Sequence, residues 1–318
     1  MRRKLPSIVF YVLFVAFVYW YVRRLDFSTL EGVSFDPWML SVATALALLF
    51  RYWSVFTWLD ILKGLGVGRI QDKVTMAYVY AKSWLGRYLP GKVTWIFGKI
   101  YFASEQGIPR RKLAVGSVVE AALQTTVTLL LSLVLLSFDA RLDVFTAGQK
   151  VVMFVGSATL VITLLPPVFN RLVGLAYVRL RKGVLQTEDH IKKRTLLRGL
   201  LLYGLGFFAS GASYFFLTKS LHPELPYEHL FFIVGAFNLA GAIGIVSVFA
   251  PSGIGVRESV QLLLLPLVIS AELALIVTVA ARLWSLLVDG LFFVITWLHR
   301  GVSLRFAGES SHRKQEGT

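Results

Sequence analysis

The stretch FAPSGIGVRESV, residues 249–260, places a proline, two glycines and the adjacent pair Arg257 and Glu258 inside one of the most apolar parts of the chain. Proline removes a backbone N–H and glycine weakens a helix, so this composition does not suit an unbroken membrane helix. Backbone groups left unpaired at membrane depth cost several kcal/mol each unless protein or water covers them. The stretch therefore predicts a broken membrane helix beside a cavity.

Composition identifies the surrounding solvent. Hydrophobic residues make up 56% of the 318 residues and charged residues only 16%, which is typical of an all-α polytopic membrane protein. A span needs roughly 20 apolar residues. The apolar runs are 8–22, 37–59, 113–138, 151–169, 196–218, 229–249 and 271–298. The first run follows MRRK and lacks a small-residue cleavage site, so we expect a retained signal anchor.

The net charge of +15 is unevenly distributed among the loops. If loops alternate between the two sides, one set, including both termini, holds 21 Lys and Arg residues and the other set holds five. This positive-inside bias predicts that both termini are cytoplasmic. It also explains the charge without a nucleic-acid partner. The absence of cysteine excludes disulfides, thiolate metal sites and cysteine nucleophiles.

This topology requires two segments that enter the membrane and return. Residues 74–100 carry Lys82, Arg87, Lys92 and Lys99 and lie between two basic loops, so a plain span is not expected. We predict a re-entrant hairpin with its tip at 89–91, and a second hairpin over 229–269. The expected fold has six full spans plus two re-entrant helical hairpins.

The two hairpins suggest an internal repeat. Pro90 and Pro251 are 161 residues apart, and the same offset carries the runs 37–59 and 113–138 onto two later apolar runs. We expect a single membrane domain over 1–318, with half-repeats at 1–147 and 148–299 and a polar cytoplasmic tail at 300–318. Each half crosses the membrane an odd number of times, so the second half should be inverted.

The residues of the breaks suggest an anion site. Pro251 should stop the incoming helix, Ser252 should cap the next one, and Gly253 and Gly255 should permit unusual dihedrals or close approach of a ligand. A new helix start and Arg257 would both attract an anion. The expected substrate-binding set is Pro90, Gly91, Lys92, Glu120, Ser252, Gly253, Gly255, Arg257, Glu258 and Arg282.

Several charges in this set have open roles. Glu258 needs a neutralising cation, for which Arg282, Lys92 or a bound proton are candidates. Glu120 and Arg282 lie within spans and either serve function or form a buried pair. Arg51 is expected to snorkel from one end of its span. The histidines are scattered, and GRYLPGKV lacks the Ser or Thr of a P-loop at Val93, so we predict no catalytic, metal or cofactor site.

Four stretches resemble a known family: RYLPGKV at 87–93, SEQGIPRRKLAVGSVVEAAL at 104–123, APSGIGVRESV at 250–260 and AARLWSLLVDG at 280–290. They are similar to the flippase-like membrane domain of the lysylphosphatidylglycerol synthase family. The resemblance implies a two-lobed membrane domain that handles lipid headgroups between leaflets, in a prokaryotic cell membrane. Thr94 and Trp95 depart from the glycine and acidic residue of many members. The soluble synthase domain is not seen, so synthase activity is not expected.

The favoured hypothesis is a flippase-like protein that binds or translocates an anionic phospholipid or a polyprenyl-phosphate-linked lipid. One alternative is a membrane-embedded transferase, or its subunit, acting on polyprenyl phosphate. The sequence lacks a D-x-D pair and a clear acid, base or nucleophile constellation for that chemistry, so an enzyme is not expected. A second alternative is a secondary transporter of a small anion, which the inverted repeat favours.

Overall fold

The computed structural model describes residues 34–68, 70, 72–88, 94–141, 146–181, 187–247 and 253–315, and every regular element in these ranges is helical. Short 3₁₀ turns at Gly86–Tyr88, Thr187–Asp189, Tyr227–His229 and Leu265–Leu267 join some of the helices. The α-helices are α1 Pro37–Gly64, α2 Lys73–Leu85, α3 Thr94–Ser104, α4 Arg110–Ser137, α5 Ala147–Thr163, α6 Pro166–Arg181, α7 Lys193–Leu221, α8 Leu230–Val246, α9 Val256–Leu264 and α10 Ala271–Gln315.

Five segments are long and apolar enough to cross a membrane. They are Pro37–Gly64, Arg110–Ser137, Lys193–Leu221, Tyr227–Val246 and Ala271–Ser303. Each contains or overlaps one of the apolar runs found in the sequence. The chain is therefore a helical integral membrane protein. The expected first span at 8–22 lies outside the described residues, as do Pro90, Gly91, Lys92, Pro251 and Ser252.

The expected span at 151–169 is not a straight helix. α5 and α6 together have the composition of a span, but they meet at 86°. Pro166 and Pro167 begin α6, and a residue before proline is disfavoured in the helical region. The two prolines therefore end α5 at Thr163 and start a new direction.

The two expected hairpins are pairs of adjacent helices that pack on each other. α2 and α3 have 13 and 11 residues, so at about 1.5 Å per residue neither crosses a hydrocarbon core of about 30 Å. α9 has only nine residues and packs on α8. α8 with its preceding turn is itself long enough to span. The re-entrant course of both pairs stays a prediction.

The order and packing of the helices repeat. Adding 161 residues to α1, α2, α3 and α4 gives positions that overlap α7, α8, α9 and α10 respectively. α1 of the first half packs on α7 of the second half. The last helix of each half packs on the predicted hairpin of the other half, α4 on α8 and α10 on α2. This is the packing expected of two equivalent halves. Their inverted relation stays a prediction.

Loops predicted to share a side of the membrane lie at the same end of the bundle. At one end the Asp36 N–H donates to the Ser220 carbonyl at 2.8 Å, and Arg141 contacts His229. At the other end the buried Asp189 pairs with Arg111 and Lys112 at the start of α4. Burial would raise the pKa of Asp189, but these two hydrogen-bonded cations hold it below its ordinary value.

The last helix extends past the expected end of the membrane domain. α10 continues from Ala271 to Gln315, through most of the segment expected to be a polar tail at 300–318. This segment contains no proline that would end the helix. The polar residues therefore extend the last span as a helix.

Candidate functional site

A cavity of about 200 Å³ lies between the two halves. Its lining includes Arg51 of α1, Gln124 of α4 and Phe207 of α7. Each of these is the fifteenth residue of its helix, and the three helices have 28, 28 and 29 residues. At about 1.5 Å per residue, these side chains are about 20 Å from either helix end. The cavity is thus at mid-depth in the bundle, where a transporter binds its substrate.

One wall of the cavity is a charged cluster around Asp289 of α10. This carboxylate is 1% exposed and accepts from Arg51 Nε at 2.7 Å, from Arg87 at 2.5 Å and from the Tyr88 hydroxyl at 2.6 Å. The cluster ties α1 and the end of α2 to the last helix of the other half. It gives the buried Asp289 carboxylate three hydrogen-bond donors.

Arg51 does not snorkel, contrary to the sequence expectation. Its side chain is 10% exposed and pairs with Asp289. The apolar run ended at residue 59, but α1 continues to Gly64, which places Arg51 at the centre of the helix. The side chain is too far from either helix end to snorkel to the membrane surface, so it needs a buried partner.

Arg257 is another lining residue of the cavity and lies in the first turn of α9. It donates to the Tyr214 hydroxyl of α7. The Tyr214 ring stacks on Phe237 with ring centroids 4.7 Å apart and meets Trp284 edge-on at 5.5 Å. In the part of the chain that the structure describes, no carboxylate lies within salt-bridge distance of Arg257. A neutral hydroxyl orients this guanidinium without cancelling its charge.

Glu258 has a different role from its neighbour Arg257. Its carboxylate accepts from the Gly255 N–H at 2.7 Å and thereby caps the start of α9. Arg282 Nε lies 3.8 Å from the other carboxylate oxygen. Of the candidates for the neutralising cation, Arg282 is thus in place, and Lys92 lies outside the described residues.

The cap of α9 is not Ser252 as expected. Gly255 occupies the N-cap with φ +88°, and Gly253 has φ +68°. Glycine adopts this left-handed region readily, whereas other residues pay for it. The two glycines prolong the turn, so the helix begins only at Val256.

Gly253 also lies against α8. A Cβ at this position would be 2.7 Å from the Cα of Gly244, an approach that only backbone movement can relieve. Gly244 itself lines the cavity. The expected close approach at Gly253 is therefore an approach of two backbones, one of which forms the cavity wall.

The cavity lining is positively charged. Four arginines line it, namely Arg51, Arg87, Arg257 and Arg282. The carboxylates paired with them are Asp289 and Glu258, which leaves an excess of two positive charges within the described residues. The two predicted hairpins, 74–100 and 229–269, are the broken segments of the chain. Both contribute to the lining, at positions 87, 88 and 95 and at 244, 245, 247 and 257.

A second charged cluster lies outside the cavity lining and includes Glu120 of α4. Its carboxylate accepts from Lys99 Nζ at 2.5 Å and from the Tyr80 hydroxyl at 2.8 Å. All three side chains are at most 1% exposed. Glu120 therefore pairs with α2 and α3 of its own half. It does not reach Arg282, Arg257 or Glu258, and of the expected set only Arg257 and Arg282 line the cavity among the described residues.

The sequence did not single out Arg87, Tyr88 or Tyr214 as site residues. Arg87 and Tyr88 begin the RYLPGKV stretch and directly precede the predicted hairpin tip at 89–91, which was their only signal. Tyr214 lies 43 residues from Arg257, within an apolar run that offers no local reason to select it.

Comparison with known proteins agrees with the sequence motifs. No curated protein matches the chain. A family model described as "Lysylphosphatidylglycerol synthase TM region" matches residues 7–292, which include both broken segments, all four cavity arginines and Glu120. The chain belongs to this lysylphosphatidylglycerol synthase TM family.

Proposed function

We propose that the protein is a flippase-like translocator that binds the phosphate of an anionic phospholipid, or of a polyprenyl-phosphate-linked lipid, in the central cavity. The observation that carries this proposal is Arg257, which lines a mid-depth cavity and is oriented by a tyrosine hydroxyl instead of a carboxylate. Arginine binds phosphate through charge-assisted hydrogen bonds. Intramembrane charges of this kind are expensive and usually functional.

The architecture supports translocation rather than static binding. The cavity lies between two halves, and the last helix of each half packs on the predicted hairpin of the other. Residues of both broken segments line the cavity. Rocking of one half against the other would expose such a site to each side in turn. A role in binding and moving lipid requires no catalytic group, and we propose none.

We further propose that the protein lies in a prokaryotic cell membrane with both termini in the cytoplasm. The end of the bundle with Asp189, Arg111 and Lys112 belongs to the loops that hold 21 of the loop Lys and Arg residues. The opposite end holds five. The basic end should therefore face the cytoplasm.

Single-cysteine labelling tests this orientation, because the chain has no cysteine of its own. Glu188→Cys and Glu224→Cys place the same change at exposed positions on the two ends. In intact cells, a membrane-impermeant maleimide should label Glu224→Cys and should label Glu188→Cys only after permeabilisation. The reverse pattern would invert the orientation, and labelling of both in intact cells would refute the loop assignment.

Arg257→Gln tests the proposed function. Loss of one charge-assisted contact of about 1.5–3 kcal/mol should weaken binding of dioctanoylphosphatidylglycerol to the purified protein by roughly 10- to 100-fold. Calorimetry in detergent measures the affinity. Arg110→Gln removes an exposed guanidinium outside the cavity lining and should bind as the wild type does.

The same assay separates the alternatives. Equal affinity of Arg257→Gln and wild type for the lipid would reject the cavity as the phosphate site. Binding of inorganic phosphate as tightly as the lipid would favour a small-anion transporter. Turnover of a polyprenyl phosphate substrate into a new product by the purified protein would favour the transferase. Movement of labelled lipid between leaflets of reconstituted vesicles, lost in Arg257→Gln, is the expected result.

A further inference from the structure

The Lys99–Glu120 pair is a titratable group that the proposed lipid site does not use. Both side chains are 0% exposed, in α3 and α4 of the first half. Burying an ion pair costs several kcal/mol per ion before their attraction is counted, and a pair of well-packed apolar residues often serves stability as well. The structural role alone is therefore a weak reason for these charges.

Aromatic side chains surround the Lys99 ammonium in addition to the Glu120 carboxylate. Its Nζ lies 3.9 Å from the ring centroid of Tyr80, 4.8 Å from that of Trp95 and 5.4 Å from that of Trp58. Aromatic faces attract a cation, most strongly when water is absent. Three rings thus provide Lys99 with a second source of stabilisation besides Glu120.

Aromatic side chains connect this pair to the cavity. Trp95 contacts Lys99 and also lines the cavity. Tyr203 of α7 lines the cavity, interacts electrostatically with Glu120 and Tyr80, and has a buried hydroxyl with no hydrogen-bond partner in the described chain. A buried unsatisfied hydroxyl is costly and calls for a specific explanation. Transient donation to Glu120, or to a proton carrier entering from the cavity, is such an explanation.

We propose that Glu120 binds a proton in the transport cycle, and that this protonation is coupled to binding of the anionic headgroup in the cavity. This inference rests on the proposed function. In the step, a proton from water in the cavity binds a Glu120 carboxylate oxygen and gives a neutral carboxylic acid beside the Lys99 ammonium. No other bond is made or broken, and the pair gains one positive charge.

The gained charge lies behind the cavity wall, where low polarity makes electrostatic interactions strong. An anion in the cavity is therefore bound more tightly when Glu120 is protonated. By linkage, the bound anion in turn favours protonation by the same factor. One proton would then travel with each lipid, and a proton gradient would drive translocation.

The other charged groups near the pair do not offer the same exchange. Lys99 of α3, Tyr80 of α2 and Tyr203 of α7 face Glu120, and Arg51 of α1 acts on Tyr80 from the cavity side. No ion pair or hydrogen bond to Glu120 comes from α5, α6 or α8 in the described ranges. Of the two carboxylates beside the cavity, Asp289 is held between two arginines and Glu258 is held by a helix N-terminus and Arg282.

The experiment measures proton uptake and affinity together. Purified protein in weakly buffered detergent solution is mixed with dioctanoylphosphatidylglycerol, while a pH indicator records proton uptake and calorimetry records affinity between about pH 5 and pH 9. The wild type should take up a proton on binding. Its affinity should fall by up to about tenfold per pH unit over part of this range.

The decisive variant is the double replacement Lys99→Met with Glu120→Gln, which removes both charges at similar volume and should fold. It should bind the lipid with the same affinity at every pH and without proton uptake. Glu224→Gln, at an exposed loop carboxylate outside the cavity lining, should retain the uptake of the wild type and controls for surface titration.

Each contrary outcome is distinct. Lipid binding by the wild type without proton uptake, or proton uptake that persists in the double variant, overturns the coupling and leaves the lipid site intact. Loss of uptake in Glu224→Gln assigns the proton to a surface carboxylate and also overturns it. Absence of lipid binding at every pH overturns the proposed function, and the coupling with it.

Discussion

Asp289→Asn is expected to destabilise the protein by about 3–5 kcal/mol, because it removes the negative charge between the guanidinium groups of the buried Arg51 and the half-buried Arg87. The asparagine keeps a similar shape and can still accept a hydrogen bond, but Arg51 and Arg87 would face each other across a neutral amide. The midpoint of thermal unfolding in detergent should fall by roughly 5–15 °C. Fluorescence-detected unfolding of the purified variant measures the change.

The matched control is Asp60→Asn, at a half-buried carboxylate of α1 that makes no ion pair in the described residues. It should shift the midpoint by little, since substitutions away from such networks usually cost less than about 0.5 kcal/mol. Equal shifts for Asp60→Asn and Asp289→Asn would show that the two guanidinium groups do not depend on Asp289.

The sequence predicted the general character of the fold well. Long apolar runs and the loop charge bias indicated a helical membrane protein, and four of the expected spans overlap α1, α4, α7 and α10. Proline and glycine punctuation indicated the turn before α9, because these residues act locally on the backbone. The apolar runs did not give the helix ends, because α1 continues to Gly64, five residues beyond the end of its apolar run at residue 59.

Charge pairing was the part that the sequence could not supply. Arg51 and Asp289 are 238 residues apart and meet only when the two halves pack together. Glu120 has several cations within reach by residue count, and only the packing of α3 on α4 selects Lys99. Local composition shows that a buried charge needs a partner, whereas tertiary packing decides which partner it obtains.

The Lys99–Glu120 pair and the charged cluster at the cavity differ in their charge balance. Lys99 and Glu120 form a closed, balanced pair in one half. Among the described residues, the cavity cluster contains four arginines and two carboxylates, so it carries an excess of positive charge. A bound phosphate would therefore stabilise the cavity cluster, and it would act on the buried pair only at a distance. Stability measurements on each cluster should respond differently to added lipid.

Lys99→Met should be the most destabilising change in the first half, by about 3–5 kcal/mol at neutral pH, because it leaves the Glu120 carboxylate buried beside a thioether. Adding Glu120→Gln should restore most of the loss, since the amide still accepts from Tyr80 and no charge remains. The loss in Lys99→Met should shrink as the pH falls, because Glu120 can then be buried as a neutral acid. Lys82→Met, at an exposed lysine of α2, is the control. Additive losses in the double variant would show that the two side chains do not act as a pair, because contact pairs are recognised by their departure from additivity.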